Sequence, residues 1–171
     1  MSELLQFRDP ELAIPRDGES PEVVGFYPRE FFVLDNFASF QIEYGGKIWP
    51  TAEHLYQASH FFETHPGLAE QVLHAPSAHE AYKIARANKQ HVPEYWDDIK
   101  LELMEEIVRL KFEQHPYIQK KLLETGDLPI VEDSTKDNFW GWGPNRDGRN
   151  ELGKIWMRLR DELNSRNIAD A

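Results

Sequence analysis

The sequence predicts an α+β fold: a single compact, mainly helical domain with a small antiparallel sheet near the N-terminus. Three observations predict it. Gly45-Gly46 is flanked by two short extended runs, Gln41-Ile42-Glu43-Tyr44 and Lys47-Ile48-Trp49, and glycine supplies the positive φ that a two-residue hairpin demands. From residue 51 onward, helix-start signals recur and apolar residues return at spacings of three and four, the period of a half-buried helix. A chain of 171 residues fits one domain with enough apolar material for a core.

The elements follow in order. Residues 1–21 are polar and punctuated by Pro10, Pro15 and Pro21, which reads as an irregular arm before a domain over 22–165 and a tail over 166–171. Val23-Val24-Gly25-Phe26-Tyr27 reads as a strand, and 31–40 as mostly extended with a break at Asp35-Asn36. Thr51 is the N-cap of a helix to about residue 63, and Pro66 starts a short helix through Leu73. Ser77 and Glu80 have capping-box spacing, hydroxyl and carboxylate each satisfying the other's backbone amide, for a helix towards Ala87. Pro93 or Glu94 opens the longest helix, to about Gln114, with Trp96, Ile99, Leu103, Ile107 and Leu110 as its buried stripe. Another helix runs from Pro116 until Gly126 stops it. Residues 128–132 form a short strand, 137–150 a loop, and 151–164 the closing amphipathic helix.

Composition narrows the chemistry. The formal net charge is −11, so the bulk field repels polyanions, and non-specific DNA binding, which runs on basic faces and counterion release, is disfavoured. There are no cysteines, which removes disulfides, thiolate metal sites and cysteine nucleophiles together. The N-terminus lacks a signal-peptide pattern and no apolar run reaches membrane-spanning length, so a cytoplasmic location is the simplest expectation. The seven histidines show no zincin spacing, and single histidines near helix ends serve mostly as caps or surface groups. A phosphate loop, a dinucleotide fingerprint and a serine-centred nucleophile elbow are missing from the sequence. Neither a metal nor a cofactor is expected.

Two clusters carry chemistry. In Gly46-Lys47-Ile48-Trp49-Pro50-Thr51-Ala52-Glu53-His54 a strand ends and a helix begins within a few residues. Glu53 falls in the first turn, where the helix dipole favours a carboxylate, and Gln57 lies one turn later on the same face. Read alone, Glu53 is also what any helix start favours. The second cluster, residues 133–150, holds Phe139, Trp140 and Trp142 among three glycines. Glycines permit close backbone approach and indoles stack on nucleobases. Arg146, Arg149 and Lys154 are candidates for phosphate, together with free amides at the helix start near Asn150. The plainer reading is an aromatic-plugged loop that covers the core.

With both clusters in view, the sequence resembles the NADAR family, named for NAD and ADP-ribose and exemplified by the YbiA-like N-glycosidases. The matching pieces are Phe26-Tyr27, Asp35-Asn36-Phe37-Ala38, the run from Trp49 to Ala58, Trp96, Lys111-Phe112-Glu113-Gln114-His115-Pro116, Asp137-Asn138-Phe139-Trp140-Gly141 and Arg149-Asn150-Glu151-Leu152-Gly153. The resemblance implies hydrolysis at ribose C1 of a small phosphorylated ribosyl compound. Its two associated substrate classes are ribosylamino-pyrimidine phosphates of riboflavin synthesis and guanine carrying ADP-ribose, with ADP-ribosylated DNA as a further carrier and no membrane partner. It places the important acid on Glu53, a later acid on Asp137, and a catalytic lysine on the ribose C1 side on Lys47, with a transient Schiff base to the opened sugar as its route. The expected substrate-binding set is Tyr27, Asn36, Phe37, Arg86, Trp96, Asn138, Trp140, Gly141, Arg149 and Asn150. Glu53 and Asp137 are expected to share the stabilising and proton-transfer duties, with their division left open. A non-catalytic module that binds ADP-ribose or NAD is the alternative.

Overall fold

The computed structural model describes residues 24–26 and 31–170. The N-terminal arm, and Tyr27 from the expected binding set, lie outside the described residues. The chain divides into two compact units: Asn36–His115, and the flanking segments up to Asp35 and from Pro116 onward.

In the Asn36–His115 unit, β2 (Ile42–Tyr44) and β3 (Lys47–Trp49) form the expected antiparallel hairpin, Ile42 facing Trp49 in register. Gly45 and Gly46 both take positive φ, 59° and 74°, so the turn needs residues without a Cβ. Helices α1 (Ala52–Ser59), α2 (Pro66–Leu73), α3 (Ala78–Ala87) and α4 (Trp96–Gln114) follow. Helix α1 packs against α2, α3 and α4, and every residue from Thr51 to Ala58 is buried.

Three local expectations change here. Helix α1 stops at Ser59 because the Ser59 hydroxyl donates to the Tyr56 carbonyl and His60 Nδ1–H to that of Gln57, side chains replacing the next helical amides. Ser77 caps α3 through the Glu80 amide at 3.1 Å, but the Glu80 carboxylate turns to Lys83 rather than closing a capping box. On α4 the buried face is Trp96, Met104, Ile107, Val108, Lys111 and Phe112, whereas Ile99 is 38% exposed. Of the expected stripe only Trp96 and Ile107 are buried, and Leu103 and Leu110 are intermediate, so the buried face is turned towards Met104, Val108 and Phe112.

In the flanking unit, β1 (Val24–Gly25) pairs in parallel with β4 (Ile130–Val131). The small sheet is therefore two separate pieces, one antiparallel and one parallel. The run 31–40 is not extended: Phe32–Leu34 is a 3-10 turn closed by Leu34 N–H to the Phe31 carbonyl. Helices α5 (Pro116–Glu124) and α6 (Glu151–Ala169) pack together, and α6 continues five residues past the expected end. Trp156 Nε1 donates to the Leu34 carbonyl and the buried Arg160 to Thr125 Oγ1 and the Leu128 carbonyl. Burial lowers the Arg160 pKa, and the nearby Asp161 and Asp127 oppose that shift. Among the described residues no helix is long and apolar enough to cross a membrane.

Candidate active site

The start of α1 is built as a rigid cap. Thr51 is extended and its Oγ1 accepts the His54 amide at 3.1 Å. His54 Nε2 faces the Ala75 carbonyl at 3.1 Å. A carbonyl only accepts, so Nε2 carries the hydrogen and Nδ1 accepts from the Thr51 hydroxyl at 2.8 Å. Burial holds the His54 pKa below its ordinary value, and the Ala75 bond offsets this only in part.

Glu53 sits in the first turn that this cap creates. It is 6% exposed, its amide donates to the Asn36 carbonyl at 3.0 Å, and its Oε1 accepts from Gln57 Nε2 at 2.7 Å. The dipole and the glutamine amide both interact favourably with a carboxylate there. Asn36 is also 6% exposed, yet its Oδ1 makes no hydrogen bond among the described residues, and its Nδ2 donates only to Met104 Sδ. A buried carbonyl oxygen in that state costs free energy unless something else uses it.

The remaining expected residues of this unit fall as follows. Trp96 opens α4 and is buried against Tyr56, centroids 5.6 Å apart, and His60, 3.9 Å apart. Phe37 is 42% exposed. Arg86 lies exposed on α3 and donates to the Tyr82 hydroxyl at 2.7 Å. Lys47 lies half-exposed on β3 and forms an ion pair with Glu70 of α2. Two residues outside the expected set stand out in this unit: His60, and Lys111, fully buried with its ammonium 5.4 Å from the Phe40 ring centroid. His60 had a legible signal: it follows Glu53 by seven residues and Gln57 by three.

In the flanking unit the loop 132–150 is held by its own backbone. Asp137 Oδ1 accepts the amides of Phe139 and Trp140 at 2.9 and 2.8 Å. Asp133 accepts Trp142 Nε1, and Phe139 meets Trp140 edge-on at 4.8 Å. At Gly141 a Cβ would stand 2.6 Å from the Glu132 carbonyl oxygen, and at Gly148 2.8 Å from Asn138 Cα, so both positions exclude side chains. Asn138 itself is exposed and Trp140 partly so. Asn150 is left-handed at φ 52° and buried; its Oδ1 accepts the Glu132 amide and its Nδ2 donates to the Ile130 carbonyl. It clamps α6 to β4.

One expectation is overturned in this loop. The amides at the start of α6 are not free for phosphate: those of Glu151 and Leu152 donate to the carbonyls of Phe139 and Trp140. Arg149 and Lys154 both engage Glu151, at 2.9 and 3.4 Å, and Arg149 also lies over Phe139. Arg146 lies over the Trp142 ring. Among the described residues no group of three or more histidine and acidic side chains is placed to hold a metal ion.

The helices and short strands of this chain make a YbiA-like α+β fold. The solved NMR structure of the E. coli protein YbiA superposes with a TM-score of 0.75 at 31% identity, over 85% of this chain and 87% of that one. The NADAR domain model matches residues 16–164, and the chain belongs to the NADAR family. Among similar proteins, the N-glycosidase YbiA of Shigella boydii is 33% identical over 82% of this chain and 88% of its own. An N-glycosidase of Nostoc punctiforme is 37% identical over 76% of this chain and 84% of its own. A riboflavin biosynthesis protein of Vibrio vulnificus is 44% identical over 76% of this chain, and the match spans only 35% of that longer protein.

Proposed function

We propose that the chain is an N-glycosidase that hydrolyses the bond between ribose C1 and nitrogen in a phosphorylated ribosyl compound. The observation that carries this reading is Glu53: an acid buried at a helix start, oriented by Gln57, and backbone-bonded to Asn36 with its orphan carbonyl oxygen. Cleavage of a ribosyl C–N bond passes through an oxocarbenium-like state with positive charge on C1 and the ring oxygen. A preorganised carboxylate stabilises that charge without reorganising. Water then adds to C1, the bonding pair leaves with nitrogen, and that nitrogen takes a proton. In this reading Glu53 stabilises the cation, and Asn36 Oδ1 accepts an N–H or O–H of the substrate. Asp137, in the flanking unit, holds its own loop through Oδ1.

The substrates that fit are ADP-ribosylated guanine, as nucleotide or in a single strand, and a ribosylamino-pyrimidine phosphate. The relatives named N-glycosidase support cleavage of an N-glycosidic bond, and the one named riboflavin biosynthesis protein supports the pyrimidine carrier. The net charge of −11 disfavours duplex DNA. Lys47 is paired with Glu70 and would have to leave that partner to reach ribose C1, so we favour direct attack by water over an imine. A second reading, an ADP-ribose- or NAD-binding module without turnover, is favoured by that same engagement and by the commitment of Asp137 Oδ1 to backbone.

The test is chromatographic release of free base or amine from ADP-ribosylated guanosine, ADP-ribosylated DNA and a ribosylamino-pyrimidine phosphate. Glu53→Gln is expected to fold normally and lose about a hundredfold or more in turnover, the scale of one electrostatic stabiliser. Normal turnover in Glu53→Gln refutes the role of Glu53, and binding without release leaves the module reading.

A further inference from the structure

We propose that His60 is a substrate-reading residue: its Nε2 accepts a hydrogen bond from a ring N–H of the heterocycle that departs from ribose. The proposal rests on the N-glycosidase reading and adds to it which part of the leaving group is recognised. Four observations on the Asn36–His115 unit carry it.

The first is position. Glu53, Gln57 and His60 follow one another at spacings of four and three, which places them on one face of α1. At 1.5 Å per residue, His60 stands about 10 Å along the axis from Glu53. A ribosyl group whose C1 lies at Glu53 reaches that far with its attached base.

The second is the tautomer. His60 Nδ1 lies 2.9 Å from the Gln57 carbonyl oxygen, which cannot donate, so Nδ1 carries the hydrogen. Nε2 is then a lone-pair acceptor. It makes no hydrogen bond among the described residues, and the side chain is partly exposed. Burial holds the imidazole below its ordinary pKa, with the Gln57 bond a smaller opposing effect, so the acceptor is present at neutral pH.

The third is rigidity. The imidazole lies 3.9 Å from the Trp96 ring at an interplanar angle of 32°, with Tyr56 edge-on at 5.3 Å. With Phe61 at 5.9 Å, three aromatic neighbours and one hydrogen bond leave the ring little freedom, so an incoming N–H meets an acceptor already in place. His60 also covers a face of Trp96, which leaves the 8% exposed indole little surface for stacking a base.

The fourth is the neighbouring donor. Trp96 Nε1–H makes no hydrogen bond among the described residues. An acceptor such as His60 Nε2 selects an N–H, and a lactam edge presents one beside its C=O. Guanine carries that edge, and so does an oxopyrimidine. The two substrate classes therefore share the feature that His60 reads.

The experiment uses free bases, so that recognition is measured apart from cleavage. Guanine and 1-methylguanine, which lacks the lactam N–H, are titrated calorimetrically into the full chain, into His60→Phe and into His60→Gln. A parallel arm uses 2,6-diamino-4-oxopyrimidine and its 3-methyl form, to distinguish the two sources of the edge. The unsubstituted protein is expected to prefer an unmethylated base by about tenfold, the scale of one well-made hydrogen bond. His60→Phe keeps a stacked ring and is expected to lose the preference, while His60→Gln, which retains an acceptor oxygen, recovers part of it. A preference unchanged in His60→Phe overturns the proposal, as does equal or absent binding of methylated and unmethylated bases by the unsubstituted protein. A His60-dependent preference in a protein that releases no base from any ribosyl substrate supports the role of His60 while sinking the enzyme reading.

Discussion

Asn36→Leu is expected to make the protein more stable and less active. The side chain is buried, its Oδ1 has no hydrogen-bond partner among the described residues, and its Nδ2 reaches only Met104 Sδ at 3.3 Å. Sulfur is a weak acceptor, so little is lost with that contact. The unmet carbonyl costs about 1–3 kcal/mol. Leucine has nearly the same shape, branched at the same atom, and needs no partner. The bond from the Glu53 amide goes to the Asn36 backbone carbonyl and survives the change, so the start of α1 stays in place. The net gain is about 1 kcal/mol or more, a rise in Tm of about 2–4 °C per kcal/mol for a chain of this size. Scanning calorimetry measures the first effect and base release from the active ribosyl substrate the second, where a loss of about tenfold is expected for one substrate hydrogen bond. A lower Tm, or a higher Tm with undiminished turnover, refutes the reasoning: the first shows that Asn36 is satisfied in the fold, the second that the substrate does not use it. Stability held back at a functional position is the general pattern this tests.

Further outcomes follow from other parts of the molecule. Asn150→Ala leaves the Glu132 amide and the Ile130 carbonyl without their partners and puts a Cβ-bearing residue with no local hydrogen bond at φ 52°; urea unfolding should show a loss of about 2–4 kcal/mol, with Asn150→Gly milder because glycine accepts that φ. His54 has a folded pKa below its unfolded value near 6.5, so its contribution is full above that pH and is lost as pH falls towards the folded pKa, where the unfolded chain binds the extra proton. The Tm should therefore be flat above about pH 7 and decline as the pH falls below about 6.5, and His54→Gln should flatten that decline; a slope identical in both proteins rules His54 out as its source. Borohydride added during turnover should leave Lys47 unlabelled, since its ammonium is paired with Glu70, and a stable adduct at Lys47 would establish the imine route instead.

Much of this protein is legible along the chain because it depends on neighbours in sequence. The Gly45-Gly46 turn, the Thr51 cap, the placement of Glu53 one turn from Gln57, and the start of α3 at Ser77 all rest on backbone dihedrals and bonds spanning a few residues. Those forces act locally, so residue type and spacing specify them. The end of α1 was nearly as local, yet Ser59 and His60 decide it through competing side-chain bonds that periodicity does not register.

What tertiary structure decided are the partnerships between distant segments. The parallel pairing of β1 with β4, the clamp of Asn150 across β4, and the phase of the buried face on α4 depend on which surfaces meet. The amides at the start of α6 read as free for an anion because sequence shows where a helix begins and not what lies against its first turn; the carbonyls of Phe139 and Trp140 occupy them. The same limit separates Glu53 from Asn36 and His60. A helix-start acid announces itself, whereas an unmet carbonyl and an imidazole with one nitrogen bound and one open exist only once packing has assigned every other partner.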